Sequence, residues 1–452
     1  MPIWNKPLLI LSLVCLLTPS SGAVRNDPAT SREIIIYSRG VTEIREIRQI
    51  TVEKGRGEAL LTMLPYGTDG ATITLKVNKP KEISTISVSF ADDLLDMDRM
   101  WERRIGEHVQ LNDTLAVGTL LRVTDNKLFV APDSSPGKIQ IIDRSDVEDL
   151  TLDAMPDGLV AEPSVRWQYE AKRAQEVEVS LSYFCNDFTW TANYQALLEK
   201  DNLSLNGSYI VDNLSDLSFN YKRLTLVAGE IHLASDKRRV DRHNPKAGAA
   251  SGDTQTQFGD LRRFVIDQGG ILTSGQNTVL PMLTADAIPY QTRYVYDATI
   301  FDDRITTHIE FALIGKQAAP MPSGIVKVFK TEKNEALFIG EDSIDDTPSG
   351  SPLDLTLSQT FDLTAERKRE REETTPDGGT RQMFKVTLGN SRDQGVTVEV
   401  LERLFGDWSI KEANIEGKPV EPIIEDARTV RFDVPVGAGK TAVLTYLIEY
   451  VR

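Results

Sequence analysis

The chain has 452 residues, 40% hydrophobic and 26% charged, with a formal net charge of −16. At about 150 residues per domain this is material for roughly three packed domains. The acidic balance disfavours nucleic acid and anionic membrane surfaces as partners.

The first 23 residues read as a signal peptide. Lys6 is their only charge, the apolar run Leu8–Leu17 follows it, and Ser21 and Ala23 are small residues at the −3 and −1 positions, so export with cleavage after Ala23 is expected. The apolar run is too short to span a bilayer, which takes about 20 residues, and Val14 before Cys15 does not suit a lipoprotein site. Loss of Lys6 takes the charge from −16 to −17. Only Cys185 then remains, so no internal disulfide forms and a buried, inert thiol is expected. The localisation that follows is periplasmic or secreted.

Residues 24–105 predict an N-terminal β domain ending in a short helix. The segment from Glu33 to Pro65 is rich in β-branched residues and carries a turn signal at 54–57. Asp69-Gly70 predicts a hairpin turn. The helix is expected over 92–107, with Leu95, Met100 and Trp101 on one face. Residues 106–155 hold short strands separated by Asn-Asp, Asp-Asn-Lys and Ser-Pro-Gly, the spacing of a small SH3-like barrel. A linker at 156–163 follows.

From 163 to 452 nearly every segment shows period-two patterning, which predicts one or two antiparallel β-sandwich domains. Residues 235–260 interrupt the rhythm with small and charged residues, and read as a flexible insertion. The charged stretch from Ala365 to Asn390 predicts a solvated hairpin turning at Pro376 to Gly379. In Phe188–Leu198, the residues Phe188, Trp190, Ala192, Tyr194, Ala196 and Leu198 share one strand face and the polar residues the other. That is the pattern of a strand with one face in a core, so these aromatics are expected to pack rather than to stack on a sugar.

The motifs that carry chemistry are sparse. Gly437 to Thr441 (GAGKT) lacks the first glycine of a phosphate-binding loop, since Val434 stands there, and a strand pattern follows it, so it reads as a hairpin turn. His108, His232, His243 and His308 show no metal-ligand spacing; Glu230 and His232 could share a strand face. The loop Gly340–Asp346 gathers Glu341, Asp342, Asp345 and Asp346, and these four are the candidate calcium ligands, although their spacing is not that of a calcium-binding hand. A carboxylate pair including Glu341 or Asp342 would also suit a glycosidase. There is no nucleophile elbow. No catalytic and no cofactor-binding residue is assigned.

The phrases Leu181-Ser182-Tyr183, Trp190-x-Ala192-x-Tyr194, Asn213-x-Ser215 and Leu224 to Gly229, with PMPSGIVKVFK and FIGEDSIDDTPSGSPLDL, resemble the bacterial domain of unknown function 4139 over about 163–452. The N-terminal YSRGVTEIREIRQITV is more weakly similar to its companion domain, number 4140. The resemblance implies an exported, mostly-β protein and carries over no catalytic residue. The expected function is a non-enzymatic envelope or secreted protein that binds another protein or a cell-envelope polymer. The alternatives are an extracytoplasmic carboxylate- or calcium-dependent hydrolase acting on glycans, and a self-assembling structural subunit.

Overall fold

The structure is a computed structural model, and it describes residues 28–78, 82–92, 101–102, 104–112, 115–148, 150–152, 160, 162–229, 231, 257–258, 261–299, 303–333 and 335–451. The expected signal peptide, most of the expected helix, Glu230, His232, His243 and nearly all of the expected insertion lie outside them. Of the insertion, Gln257–Phe258 is a short strand. Among the described residues no helix is long and apolar enough to cross a membrane.

The architecture is nearly all β, as the patterning predicts, and four hydrophobic cores organise it. The first lies between a seven-stranded and a three-stranded sheet. The larger sheet runs Gln257–Phe258, Leu261–Ile266, Arg223–Ala228, Ala29–Tyr37, Thr42–Val52, Gln175–Cys185, Thr68–Val77. The smaller runs Gly55–Leu61, Ser164–Ala171, Ile83–Ala91. The N-terminal segment is therefore not a domain of its own. Its strands need partners beyond residue 163 to complete both sheets, which corrects the expected boundaries at 105 and 163.

The small barrel sits inside this sandwich as an insertion. Ala91 pairs with Ser164, so the chain leaves and re-enters one antiparallel ladder. Its five strands are ordered Leu150–Leu152, His108–Leu111, Ala116–Val123, Lys127–Pro132, Gln140–Asp143, all antiparallel, with a 3₁₀ turn at Arg144–Asp146, consistent with the SH3-like module expected. Trp101 and Glu102 are helical, and Trp101 fills the barrel core beside Leu111 and Leu128. The helix end thus belongs to the barrel rather than to the preceding sheet.

The third body is a ring of seven strands around Tyr194, Leu205, Val326, Val328 and Leu355. Six ladders join the seven strands in the order Glu335–Ile344, Gly324–Glu332, Phe188–Leu198, Asn202–Asn213, Gln276–Asp297, Thr306–Ala312 and Pro352–Gln359. The remaining seam, between Glu335–Ile344 and Pro352–Gln359, is closed by a side chain: Asp342 Oδ2 accepts the Thr356 N–H at 2.7 Å. Gly340, at φ 154°, permits the approach, because a Cβ there would stand 2.9 Å from the Leu357 carbonyl oxygen. The fourth body is a sandwich. Val396–Arg403 and Thr429–Val436, with the end of Gln276–Asp297, face Leu363–Thr374, Thr380–Asn390, Thr441–Tyr450 and Trp408–Ile415 across Phe432, Leu444 and Tyr446.

Long strands join the bodies. Phe188 and Trp190 lie in the first core, while Ala192, Tyr194, Ala196 and Leu198 on the same face lie in the ring core. The 22-residue strand Gln276–Asp297 touches three: Leu280 packs on the first core, Ala285 and Ile288 on the ring, and Tyr296 on the C-terminal sandwich. Register shifts opposite Leu203/Leu205 and Gly207/Ser208 are bulges that bend it between bodies. Among the described residues most pairs are antiparallel, but three are parallel: Ala29–Tyr37 with Arg223–Ala228, Phe188–Leu198 with Gly324–Glu332, and Gln276–Asp297 with Val396–Arg403. Parallel neighbours need a crossover, and each pair here joins strands far apart in sequence, which local patterning cannot reveal.

Three turns test the local reading. The charged hairpin turns where expected, with Thr375 N–H donating to the Gly379 carbonyl. Asp69-Gly70 is not a turn; both lie inside Thr68–Val77, and Gly70 is needed because a Cβ would fall 2.6 Å from the Phe90 ring. GAGKT is a turn, but it carries the chain from one sheet of the sandwich to the other rather than closing a hairpin.

Candidate functional site

The four acidic candidates do not form a loop site. Glu341 and Asp342 lie within a strand, where adjacent residues face opposite sides. Asp342 accepts the Ser343 and Thr356 N–H groups, and Asp346 accepts the Ser323 N–H at 2.7 Å. The Asp345 carbonyl accepts the Thr347 hydroxyl. Asp346 also lines a small cavity of about 150 Å³ beside Phe264 and Met321, between the first core and the ring. Among the described residues no group of three or more His, Cys, Asp or Glu side chains is placed to hold a metal ion. The aromatic stretch is in the cores as expected: Phe188 is 0% and Tyr194 1% exposed, Trp190 meets Tyr209 edge-on, and the Tyr194 hydroxyl donates to the Pro322 carbonyl.

One side-chain line resembles acyl-transfer chemistry. Thr306 Oγ1 lies 3.1 Å from His308 Nε2, and His308 Nδ1 lies 3.1 Å from Asp354 Oδ1. Its surroundings are those of a clamp. Arg293 donates to Asp354, Glu310 and Glu399, and the Thr306 hydroxyl is also 3.2 Å from the Val295 carbonyl. Arg293 thus ties two ring strands to the C-terminal sandwich. The hydrogen bond from His308 and the charges of His308 and Arg293 hold the Asp354 carboxyl below its ordinary range.

The outer face of the seven-stranded sheet offers more room, in a groove of about 570 Å³. It is built from alternate residues of four strands, and register orders them into rows. In the first row Arg45 pairs across with Glu33, and Glu33 with Arg223. This row is self-neutralised: Arg223 holds Asp267 at 2.7 Å and Glu33 at 3.5 Å, and Arg45 grips Glu43 with two bonds of 2.7 and 2.8 Å. The next row, Ile35, Thr225 and Val265, is the groove floor. The third row is Tyr37, Val227 and Arg263. Val227 is 3% exposed although it points away from the core.

Arg263 differs from its neighbours. Among the described residues it has no ion pair, and its buried Nε has no hydrogen-bond partner. It lies close enough to Tyr37 to oppose, with Arg45, the rise in the phenol pKa that burial and Glu43 cause. The groove therefore presents an apolar floor with one unmatched guanidinium and one phenol on the same side.

No family model matches the chain, and a search of curated proteins returns no significant match.

The groove was not visible in the sequence. Ile35, Thr225 and Val265 become neighbours only through a parallel pair. The polar-looking alternation of Ala29–Tyr37 and Thr42–Val52 also concealed that Arg32, Glu46 and Arg48 face inward, at 3%, 2% and 1% exposure. What signal there was lay in Leu224 to Ala228, five consecutive buried residues, a run that marks a strand covered on both faces.

Proposed function

We propose that the chain is an exported, non-enzymatic β-sandwich protein that binds another macromolecule through the outer face of its seven-stranded sheet. The observation that carries the reading is Arg263, an unmatched cation beside Tyr37 above the floor of Ile35, Thr225 and Val265, on a surface whose other charges are paired. Leaving such a cation half-desolvated costs stability unless a ligand completes it. Export is supported by the N-terminal sequence: Lys6, the run Leu8–Leu17 and the small residues before Val24.

The test is a thermal-shift screen of the protein against cell-envelope glycans and peptides, repeated on Arg263→Gln and Val265→Asp. A ligand at 100 times its Kd adds about 2.7 kcal/mol, a rise of several degrees for a domain of this size. The reading expects at least one ligand to shift the wild type and neither variant. Ligands that shift all three proteins equally place the site elsewhere.

A further inference from the structure

The ring carries an exposed surface of a different kind. On the outside of Phe188–Leu198, Gly324–Glu332 and Glu335–Ile344, register sets three rows about 6.7 Å apart. The middle row is Gln195, Lys327 and Glu341. One flanking row is Leu197, Phe329 and Phe338, and the other is Asn193, Ile325 and Ser343. Phe338 is 56% and Ile325 43% exposed. Phe338 meets Phe329 edge-on, with 5.6 Å between ring centroids, which steadies the exposed ring against its neighbour. The middle row is uncommitted. Lys327 and Glu341 are direct cross-strand neighbours of opposite charge, yet among the described residues neither side chain makes an ion pair or a hydrogen bond, and the Gln195 side chain makes none either. Together the three offer a donor, an acceptor and an amide that is both.

We infer that this face binds an uncharged glycan, with one sugar ring stacked on Phe338 and its hydroxyl rim hydrogen-bonded to Gln195, Lys327 and Glu341. The chemistry of the rows selects this occupant. A pyranose carries C–H groups on its faces, which suit the negative face of an aromatic ring, and hydroxyls around its rim that both donate and accept. It can donate to Glu341 and accept from Lys327 while both charges stay in contact with water. A protein partner would seal the same two charges in the middle of its interface, where charged residues are depleted because their desolvation is costly. One lysine against one glutamate leaves the face without net charge, so it gives no hold to a polyanion, and the chain's −16 repels one. This site lies on the ring, whereas the groove around Arg263 lies on the seven-stranded sheet, and the inference stands without the groove.

The experiment titrates the protein into fluorophore-labelled cellohexaose, chitohexaose and, as an acidic control, hexagalacturonic acid, with binding read by fluorescence anisotropy. At least one neutral glycan should bind, and the acidic one should bind about tenfold more weakly or not at all. Phe338→Leu, which keeps an apolar side chain but removes the ring, should weaken the neutral glycan about tenfold, and Phe338→Tyr should retain it. Lys327→Ala and Glu341→Ala should each weaken it about threefold. Arg263→Gln should leave it unchanged. Unchanged melting temperatures establish that each variant is folded. Failure of both neutral glycans to bind at about 10 mM overturns the inference. So does neutral binding that Phe338→Leu leaves intact, or an acidic glycan bound as tightly as a neutral one. Glycan binding lost in Arg263→Gln instead moves the glycan to the groove and also overturns it. Self-association in sedimentation that Phe338→Leu abolishes, with no glycan bound, makes the face an interface between copies and overturns it as well.

Discussion

Glu46 and Arg48, two residues apart on one strand, both point into the first core, with Arg48 Nε 2.9 Å from Glu46 Oε1. Arg32 approaches the other carboxylate oxygen at 3.0 Å, so one acid serves two buried cations. The remaining donors are used as well: Arg32 Nη1 reaches the Asn220 carbonyl and Arg48 Nη1 the Thr62 carbonyl. Arg32 also lies over the Phe219 ring. Removing the shared acid takes from both guanidinium groups the buried carboxylate they share. Glu46→Gln should destabilise the fold by about 3–5 kcal/mol, read from urea unfolding. A loss below about 1 kcal/mol would mean that water reaches the cluster.

Trp190→Ala should cost about 3–5 kcal/mol. The ring is 8% exposed and meets Tyr209 and Phe264, at centroid distances of 5.9 and 6.2 Å. The same denaturation curves apply. A variant with unchanged melting would return this strand to the status of a ligand platform.

Asp342→Ala opens the ring seam by leaving the Thr356 N–H without its acceptor, a loss of about 1–2 kcal/mol. Calcium and chelator should each leave the wild-type melting temperature unchanged, because Asp342 and Asp346 are turned to different backbone donors. A rise with calcium that chelation reverses would reinstate Glu341, Asp342, Asp345 and Asp346 as ligands.

The depressed pKa of Asp354 fixes the sign of one pH effect. A carboxyl whose folded pKa lies below its unfolded value binds fewer protons when folded, so its contribution is complete above the ordinary value of 3.8 and is lost as pH falls through the lower folded value. Asp354→Asn should therefore flatten the stability profile below about pH 4 and leave its shape near neutrality unchanged. An unaltered acid limb would show that Asp354 does not report on the Arg293 clamp.

Burial pushes the Cys185 thiol up to about 12, far from the thiolate that reacts. Iodoacetamide at neutral pH should leave the Cys185 peptide unmodified in native protein and modify it in denaturant, as mapped by mass spectrometry. Rapid native labelling would show that this end of the strand opens.

Much of the fold was legible because strands announce themselves locally. Alternation placed Phe188, Trp190 and Tyr194 in cores, and Pro376 to Gly379 at a turn, since each depends on neighbours within a few residues. Partner choice was not legible. The pairing of Tyr37 with Val227, or of Tyr296 with Val400, joins segments far apart in sequence through parallel ladders. Asp69-Gly70 misled for a related reason: its glycine answers to the Phe90 ring on another strand, not to a turn. Two of the acidic candidates, Asp342 and Asp346, turn to backbone N–H groups of other segments, Thr356 and Ser323, whose proximity no spacing rule foretells. The groove combines both difficulties, since its rows exist only after the sheet has assembled.

The strand Gln276–Asp297 has a consequence for how this protein can change over generations. A segment that packs on three cores gives recombination no clean place to cut between them: a crossover on either side of Ala285 hands each daughter a body with an orphaned ladder. The sandwich, ring and C-terminal bodies are therefore inherited as one block. The small barrel is under no such tie. It enters and leaves beside the Ala91–Ser164 pair, and is the part of the chain that lineages can gain, trade or discard.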